Sequence, residues 1–136
     1  MISHIDHIVL TVADIERAVA FYQRVLHMQP VTFAGGRRAL AFGTQKINLQ
    51  TLGQELRNRA ATGSGDVCLI TDWPTPRLLA HLATQGVTVL EGPVTKTGAQ
   101  GPITSVYFND PDGNLIEVSR YGADGEQTAT AAPPAH

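Results

Sequence analysis

The chain has very little cysteine, few aromatic residues and no marked excess of either charge. A single Cys among 136 residues excludes both an intramolecular disulfide framework and a thiolate-rich structural zinc site. Ten Lys and Arg stand against 12 Asp and Glu, a formal net charge of −2, so nucleic acid is not expected as a partner. Aromatic residues make up only 6% of the chain, which disfavours a binding site built mainly from stacked rings.

Long apolar runs are also missing. No stretch approaches the roughly 18 apolar residues of a membrane span, so no membrane association is expected. The N-terminus has no basic segment followed by an apolar run and is not interpreted as a secretory signal, which leaves a reduced, cytoplasmic location as the expectation. At 136 residues the chain is long enough for one compact domain, or for two half-domains that share a core.

The first half of the chain predicts the element order β-α-β-β-β. Residues 8–12 form a β-branched run typical of a strand, and a helix is expected to begin after an Asp14 N-cap. Its apolar residues recur with i, i+3, i+4 spacing, and it should end near His27 because Pro30 disfavours helical geometry at the preceding residue. Three short strands are then expected near residues 29–33, 38–43 and 46–51.

The second half repeats this order. Residues 66–71 predict a strand, and the next helix is expected to use Thr75 as N-cap, with Pro76 at its first position and Gly86 just past its end. The Gly-rich segment 96–101 lacks the helix that follows a phosphate-binding loop and is interpreted as a candidate substrate lid. Strands are predicted at residues 87–91, 103–109 and 114–120.

Two βαβββ modules predict an α+β protein with paired curved mixed sheets. We expect one domain over residues 1–122, with module 1 at about 3–51, a polar linker at 52–64 and module 2 at about 65–121. The segment 123–136 has almost no large apolar residue and is predicted to be disordered.

Four polar residues are candidates for one site. Laying His7 over Asp66 puts Glu117 where Gln50 stands, and because side chains alternate along a strand, these four can converge on one side of the sheets. Glu117 is the strongest indication, since a carboxylate between apolar neighbours in a mostly buried strand should be paired or bind a metal. One imidazole with oxygen donors suits Mn, Fe, Co, Ni or Zn.

Other residues are secondary candidates. Cys68 is interpreted as a small buried side chain, because no base or helix N-terminus activates it. Arg37 and Arg38 are interpreted as a solvated turn, with a clamp for an anionic substrate as the alternative. Candidate substrate contacts are Asn48, Tyr107, Arg120 and Lys96.

The pattern resembles the vicinal oxygen chelate superfamily, which includes glyoxalase I, extradiol dioxygenases, fosfomycin-resistance thiol transferases and metal-free bleomycin-binding proteins. The resemblance covers about residues 3–121 and rests on the repeated module and three motifs. These are His-Ile-Val-Leu-Thr-Val at 7–12, the Phe21-Tyr22 pair, and Asp-Pro-Asp-Gly-Asn-Leu-Ile-Glu at 110–117. Segments 37–49 and 91–99 further resemble single-domain bacterial proteins described as glyoxalase-like or dioxygenase-like.

The resemblance implies one divalent metal ion (Mn, Fe, Ni, Co, Zn or Mg) held by His7, Gln50, Asp66 and Glu117. Two positions depart from the family pattern: metal-using members usually carry His at the position of Asp66, and close relatives carry His at the position of Gln50. An oxygen-rich set of this kind favours Mn, Fe or Mg over tightly held Zn.

The function implied is a glyoxalase-like lyase or isomerase that acts on a small vicinal-oxygen substrate through metal-stabilised enediolate chemistry, with Glu117 as the catalytic carboxylate. Extradiol dioxygenase activity or thiol transfer is the alternative on the same scaffold, although ring cleavage uses two His and one carboxylate. A metal-free drug- or metabolite-binding protein is the alternative of another class. The resemblance also implies a homodimer.

Overall fold

The computed structural model describes residues 1–122, and the segment 123–136, predicted to be disordered, lies outside the described residues. The order of elements is β-α-β-β-β twice, as the sequence predicts. No helix among the described residues is long and apolar enough to cross a membrane. The elements are β1 (His7–Thr11), α1 (Ile15–Leu26), β2 (Gln29–Phe33), β3 (Arg37–Phe42), β4 (Gln45–Gln50), β5 (Asp66–Ile70), α2 (Thr75–Thr84), β6 (Glu91–Gly98), β7 (Gly101–Asn109) and β8 (Leu115–Tyr121).

The chain divides into two compact units with the same sheet topology. The first unit is Met1–Gly65 with Asp110–Asn114, and the second is Asp66–Asn109 with the described residues 115–122. Each holds a four-stranded mixed sheet, in the order β1-β4-β3-β2 and β5-β8-β7-β6, respectively. In both, the first and last strands of the module pair in parallel and the other pairs are antiparallel. These sheets confirm the predicted α+β fold.

Helix α1 forms as its sequence predicts and supplies much of the first unit's core. The Asp14 side chain accepts a hydrogen bond from the Arg17 N–H at 3.0 Å, which caps the helix N-terminus. The helix ends at His27, whose left-handed backbone (φ 56°) turns the chain toward β2. Its apolar stripe is buried and contacts β2 and β3; the members are Ala18, Val19, Phe21, Tyr22 and Val25.

The turn between β7 and β8 is locked into the first unit by a buried carboxylate. Asp110 accepts the Tyr22 hydroxyl at 2.7 Å, the Asn114 amide at 2.9 Å, and the backbone N–H groups of Asp112 and Asn114. The Asn114 Oδ1 accepts from the Gly65 N–H at 2.7 Å, and Asp112 accepts from Arg17 at 2.8 Å. Residues 110–114 of the most specific motif of the sequence therefore have a structural role, and Glu117 lies three residues after Asn114.

The second module departs from expectation in two places. Helix α2 begins at Thr75 without a side-chain cap, because Pro74 occupies the N-cap position, so the prediction of Thr75 as N-cap is wrong. The predicted strand at 87–91 is also wrong: the strand is Glu91–Gly98, and the segment interpreted as a lid is a tight hairpin in which Gly98 pairs with Gly101. Glycines and Pro93 hide this strand in the sequence, although its burial alternates residue by residue.

Replacing Tyr22 by Phe should lower the free energy of unfolding by about 1–3 kcal/mol, because a buried carboxylate oxygen loses a hydrogen bond. Burial, and then the Asp110 charge, raise the pKa of Tyr22 above its ordinary value of 10.0. The wild type therefore keeps this contribution to stability below pH 10 and loses it as the pH rises further, whereas Tyr22→Phe lacks that part of the alkaline loss. Urea titrations at pH 7 and pH 11 measure both effects.

Tyr121→Phe is the matched control, since the Tyr121 hydroxyl only accepts a hydrogen bond from the exposed backbone of Gln100. Its expected loss is about 0.5 kcal/mol or less. Equal losses in the two variants would contradict the role assigned to the Asp110 contact.

Candidate functional site

In the second unit, strand alternation gathers polar side chains on one face of the sheet, which we call the Glu117 face. It comprises Asp66, Cys68, Ser105, Tyr107, Glu117 and Ser119. Glu117 is paired in register with Cys68 on one side and Tyr107 on the other. The adjacent residues Ile116 and Val118 point to the opposite face and are buried. The carboxylate of Glu117 therefore lies in the middle of a polar sheet surface.

One carboxylate oxygen of Glu117 is held by two serine hydroxyls. Ser105 Oγ donates to Oε2 at 2.7 Å, and Ser119 Oγ lies 3.3 Å from the same oxygen. The two hydroxyls are 2.7 Å apart, and both serines are almost fully buried. The orientation of the carboxylate is thus set by the protein itself. Sequence reasoning missed Ser105, whose only signal is its position two residues before Tyr107 on the same strand.

Tyr107 stands beside this carboxylate as a hydrogen-bond donor. Desolvation, followed by its hydrogen bond to Glu117, raises the pKa of Tyr107 to about 12, so its hydroxyl keeps its proton at neutral pH. Lys96, on β6, adds a positive charge nearby, with Nζ 5.6 Å from the Tyr107 ring centroid and 3.7 Å from Glu91 Oε2. Of the predicted substrate contacts, Tyr107 therefore lies next to Glu117, and Lys96 lies near Tyr107.

Cys68 is exposed, so its interpretation as a buried side chain is wrong. The alternation of β5 places Val67 and Leu69 toward the other face and Cys68 beside Glu117. Its Sγ lies 3.4 Å from Ser119 Oγ. Desolvation is the largest cause of a raised thiol pKa, which the nearby carboxylates raise further. Cys68 is therefore not an activated nucleophile.

In the first unit, the corresponding sheet face carries His7, Val9, Thr11, Arg37, Ala39, Lys46, Asn48 and Gln50; we call it the Asn48 face. His7 is exposed, and its Nδ1 lies 2.7 Å from Asp6 Oδ1. That hydrogen bond lowers the pKa of Asp6 and leaves Nε2 of His7 pointing away from it. Arg37 and Arg38 lie on strand β3 and not in a turn, so their interpretation as a solvated turn is wrong.

The strand register corrects the match between the two modules. Asn48 is paired with Val9, two residues after His7, just as Glu117 is paired with Cys68, two residues after Asp66. Gln50 is paired with Thr11 and so corresponds to Ser119, which is paired with Ile70. The equivalence of Gln50 and Glu117 is therefore wrong by two residues, and Asn48 occupies the position of Glu117.

Both N–H groups of the Gln50 amide are engaged, and its oxygen accepts one hydrogen bond. Its Nε2 donates to Thr11 Oγ1 and to Asn58 Oδ1, both at 2.9 Å, and its Oε1 accepts from Asn58 Nδ2 at 3.2 Å. Thr11 in turn donates to the Ala60 carbonyl at 3.0 Å, and Glu55 pairs with Arg37 at 3.0 Å. The predicted polar linker is therefore a strap bound to the edge of the Asn48 face.

Arg120 lies apart from the other candidates. It follows Ser119 on β8 and so points to the face opposite Glu117, where it is paired in register with Thr104. The structure thus brings Glu117 and Tyr107 together on one face of the second sheet, and leaves Arg120 on the other.

The fit of a divalent metal ion can be judged from the donors. Within residues 1–122 no group of three or more His, Cys, Asp or Glu gathers. His7, however, bonds to a carboxylate through Nδ1, as metal-bound imidazoles commonly do, and Glu117 is hydrogen bonded as metal-bound carboxylates are. Asp66 is exposed beside Cys68. Taken one by one, the side chains of His7, Asp66 and Glu117 and the Oε1 of Gln50, which keeps one lone pair, are chemically suited to a divalent ion.

Comparison with known proteins agrees with this topology. The chain is 47% identical over 124 residues to Virulence protein STM3117 of Salmonella typhimurium, which covers 89% of this chain and 86% of that protein. The crystal structure of that protein has a TM-score of 0.84 to this one, over 89% of this chain and 98% of that chain. Glyoxalase domain-containing protein RDO1 of Mycosarcoma maydis is 46% identical over 120 residues, 86% of this chain and 68% of that protein.

A solved integron cassette protein from the mobile metagenome of V. cholerae is 56% identical, with a TM-score of 0.85 over 90% of this chain and 98% of that chain. Residues 4–118 match the model of the Glyoxalase/Bleomycin resistance protein/Dioxygenase superfamily. With its duplicated β-α-β-β-β topology, the chain therefore belongs to that superfamily, the vicinal oxygen chelate group that its motifs resemble.

Proposed function

We propose that the protein is a metal-dependent, glyoxalase-like enzyme that moves a proton between neighbouring carbons of a small oxygenated molecule. The observation that supports this proposal is the Glu117 carboxylate, held at Oε2 by Ser105 and Ser119 on a polar sheet face. A general base must be held within hydrogen-bond reach of the proton it takes, and a carboxylate fixed by buried donors meets that requirement once a substrate is bound.

In the proposed reaction Glu117 takes the proton from a hydroxyl-bearing carbon next to a carbonyl group. The electron pair of the broken C–H bond forms a C=C bond, and the π electrons of the carbonyl move onto its oxygen. Glu117 then returns the proton to the former carbonyl carbon, while the proton of the original hydroxyl passes to the other oxygen, so the two carbons exchange oxidation levels and no outside oxidant or reductant is needed. The serines hold Oε2 and leave Oε1 free of serine contacts for this transfer. Tyr107, protonated because its pKa is raised to about 12, supplies a donor beside the carboxylate.

The proposed metal donors are His7, Gln50, Asp66 and Glu117, because each presents a nitrogen or oxygen of the right chemistry. The Gln50 Oε1 accepts one hydrogen bond, from Asn58, and keeps a second lone pair for a metal ion. A bound divalent ion would stabilise the negative charge that develops on two neighbouring substrate oxygens. The proposal includes a homodimer, which light scattering of the full chain would test.

Two variants test the metal donors. His7→Ala and Glu117→Gln should each weaken binding of Mn²⁺, Co²⁺, Ni²⁺ or Zn²⁺ at least tenfold, because each removes a donor. Titration calorimetry of metal-free protein gives the affinity and the stoichiometry. His4→Ala is the control, since His4 precedes β1 and lies outside the proposed donor set. Normal metal binding by both donor variants would show that these residues are not the site.

The role of Glu117 in proton transfer is tested by loss of C–H hydrogens to D2O, followed by NMR, with hydroxyacetone and with the hemithioacetal of methylglyoxal and glutathione. Glu117→Gln should slow exchange at least about 100-fold, the usual contribution of a general base. Ser105→Ala should lower kcat about tenfold with little change in KM, because it frees the carboxylate without removing it.

Ser64→Ala, in the loop before β5, is the matched serine control and should leave exchange unchanged. Exchange by Glu117→Gln at the wild-type rate would reject Glu117 as the base.

A metal-free binding protein is the second candidate, and the observation that favours it is the absence of a His, Cys, Asp and Glu cluster within the part of the chain described. If metal-free wild type takes up no stoichiometric ion from any of the four metals, this function replaces the enzyme. Extradiol cleavage is disfavoured on ligand grounds: within residues 1–122, His7 is the only histidine on a strand, and that chemistry uses two.

A further inference from the structure

Two buried polar atoms of the Asn48 face have no hydrogen-bond partner. These atoms are the Oδ1 of Asn48 and the Nε of Arg37. Asn48 is only 7% exposed, so bulk water does not satisfy its oxygen. Buried polar groups are almost always hydrogen bonded, and an exception calls for a physical explanation.

The sheet itself cannot supply a donor to Asn48. The residues paired with it on the two flanking strands are Val9 and Ala39, whose side chains have no polar atoms. Along β4 on the same face, Lys46 places its Nζ 3.9 Å from the Phe33 ring centroid, and the Gln50 amide is bound to Thr11 and Asn58. None of these four neighbours donates a hydrogen bond to Asn48 Oδ1.

Arg37 presents the complementary group. It lies two residues before Ala39 on β3 and so on the same face as Asn48. Its Nη1 pairs with Glu55 at 3.0 Å, while its Nε–H remains without an acceptor. The face thus offers one unused acceptor, on β4, and one unused charge-bearing donor, on the neighbouring strand β3.

We propose that the Asn48 face binds a small hydroxy acid, whose hydroxyl donates to Asn48 Oδ1 and whose carboxylate accepts from Arg37 Nε. A hydroxy acid of two to four carbons carries both of these groups on one short chain. As a substrate assignment this deepens the proposed function, but the binding itself requires neither Glu117 nor a metal ion.

Thermal unfolding separates this role from a structural one. Leu is close to Asn in size, so in the absence of ligand Asn48→Leu should raise Tm by about 2 °C or more, because it replaces an unsatisfied buried oxygen by an apolar group. If Asn48 instead served the fold, through an internal hydrogen bond or water, the same variant would lower Tm. A lowered Tm, or failure to fold, therefore overturns the proposal.

Binding is measured by NMR titration with glycerate and with propionate, which has the same carbon count but no hydroxyl. The wild type should prefer glycerate at least tenfold, and Asn48→Leu should reduce this preference to less than threefold. Asn48→Asp keeps an acceptor and should retain the preference. Arg37→Lys keeps a charge for Glu55 but loses Nε–H, and it should weaken both acids at least fivefold.

Controls repeat the same substitutions elsewhere. Arg38→Lys lies on the other face of β3, where Arg38 pairs with Glu16, and Asn109→Leu lies at the exposed end of β7; neither should change the preference. An unchanged preference in Asn48→Leu would overturn the proposal.

Failure here is distinct from failure of the proposed enzyme. Metal-free wild type and Glu117→Gln should keep the glycerate preference even if no metal binds, and a metal-binding protein without the preference would refute only the present inference.

Discussion

The buried carboxylate of Asp110 is the contact on which the placement of the candidate site depends. Its two oxygens accept hydrogen bonds from the Tyr22 hydroxyl, the Asn114 amide and two backbone N–H groups of the turn. The turn cannot shift by one residue without breaking this set, and β8 begins directly after it, at Leu115. A one-residue slip of β8 would move Glu117 to the buried face of Ile116 and Val118. The Asp110 contacts therefore fix the turn from which β8 begins, and the pairing of β8 with β5 and β7 continues that register to Glu117.

The two sheets use the same topological position for different chemistry. Asn48 and Glu117 are each paired with the third residue of the first strand of their module, Val9 and Cys68, respectively. Glu117 is charged and receives donors from Ser105 and Ser119, whereas Asn48 is neutral and faces Val9 and Ala39. Duplication thus preserved the backbone position while the surrounding side chains diverged. In the second module the carboxylate of Glu117 receives hydrogen bonds from within the protein, whereas in the first module the Oδ1 of Asn48 receives none.

Much of this fold is predictable from local patterns, and the site only in part. The repeat, helix α1 with its Asp14 cap, and the turn at 110–114 follow from periodicity and turn chemistry, because these signals lie within a few residues of each other. The structural equivalence of Asn48 and Glu117 cannot be predicted from such local signals. It depends on the pairing of β1 with β4 and of β5 with β8, and the segments between these strands differ in length. Strand β6 was hidden by glycine and proline, and the exposure of Cys68 depends on which face of β5 packs inward. Glu117 could be found because a carboxylate among apolar residues is unusual at any register.

The Glu117 face and the Asn48 face also differ in how their polar groups are held before a ligand binds. A carboxylate held by buried serines is oriented before a ligand arrives, so a ligand meets a fixed group and little ordering is needed at the moment of contact. An amide oxygen left without a donor makes the empty protein less stable than an apolar residue would, and a structure keeps such a group where a ligand completes it. Arg37 fits the same reasoning, because its Glu55 pair holds the guanidinium in place while Nε–H stays unused. The Glu117 face therefore holds its carboxylate through hydrogen bonds of its own, whereas the Asn48 face leaves two buried polar atoms unpaired.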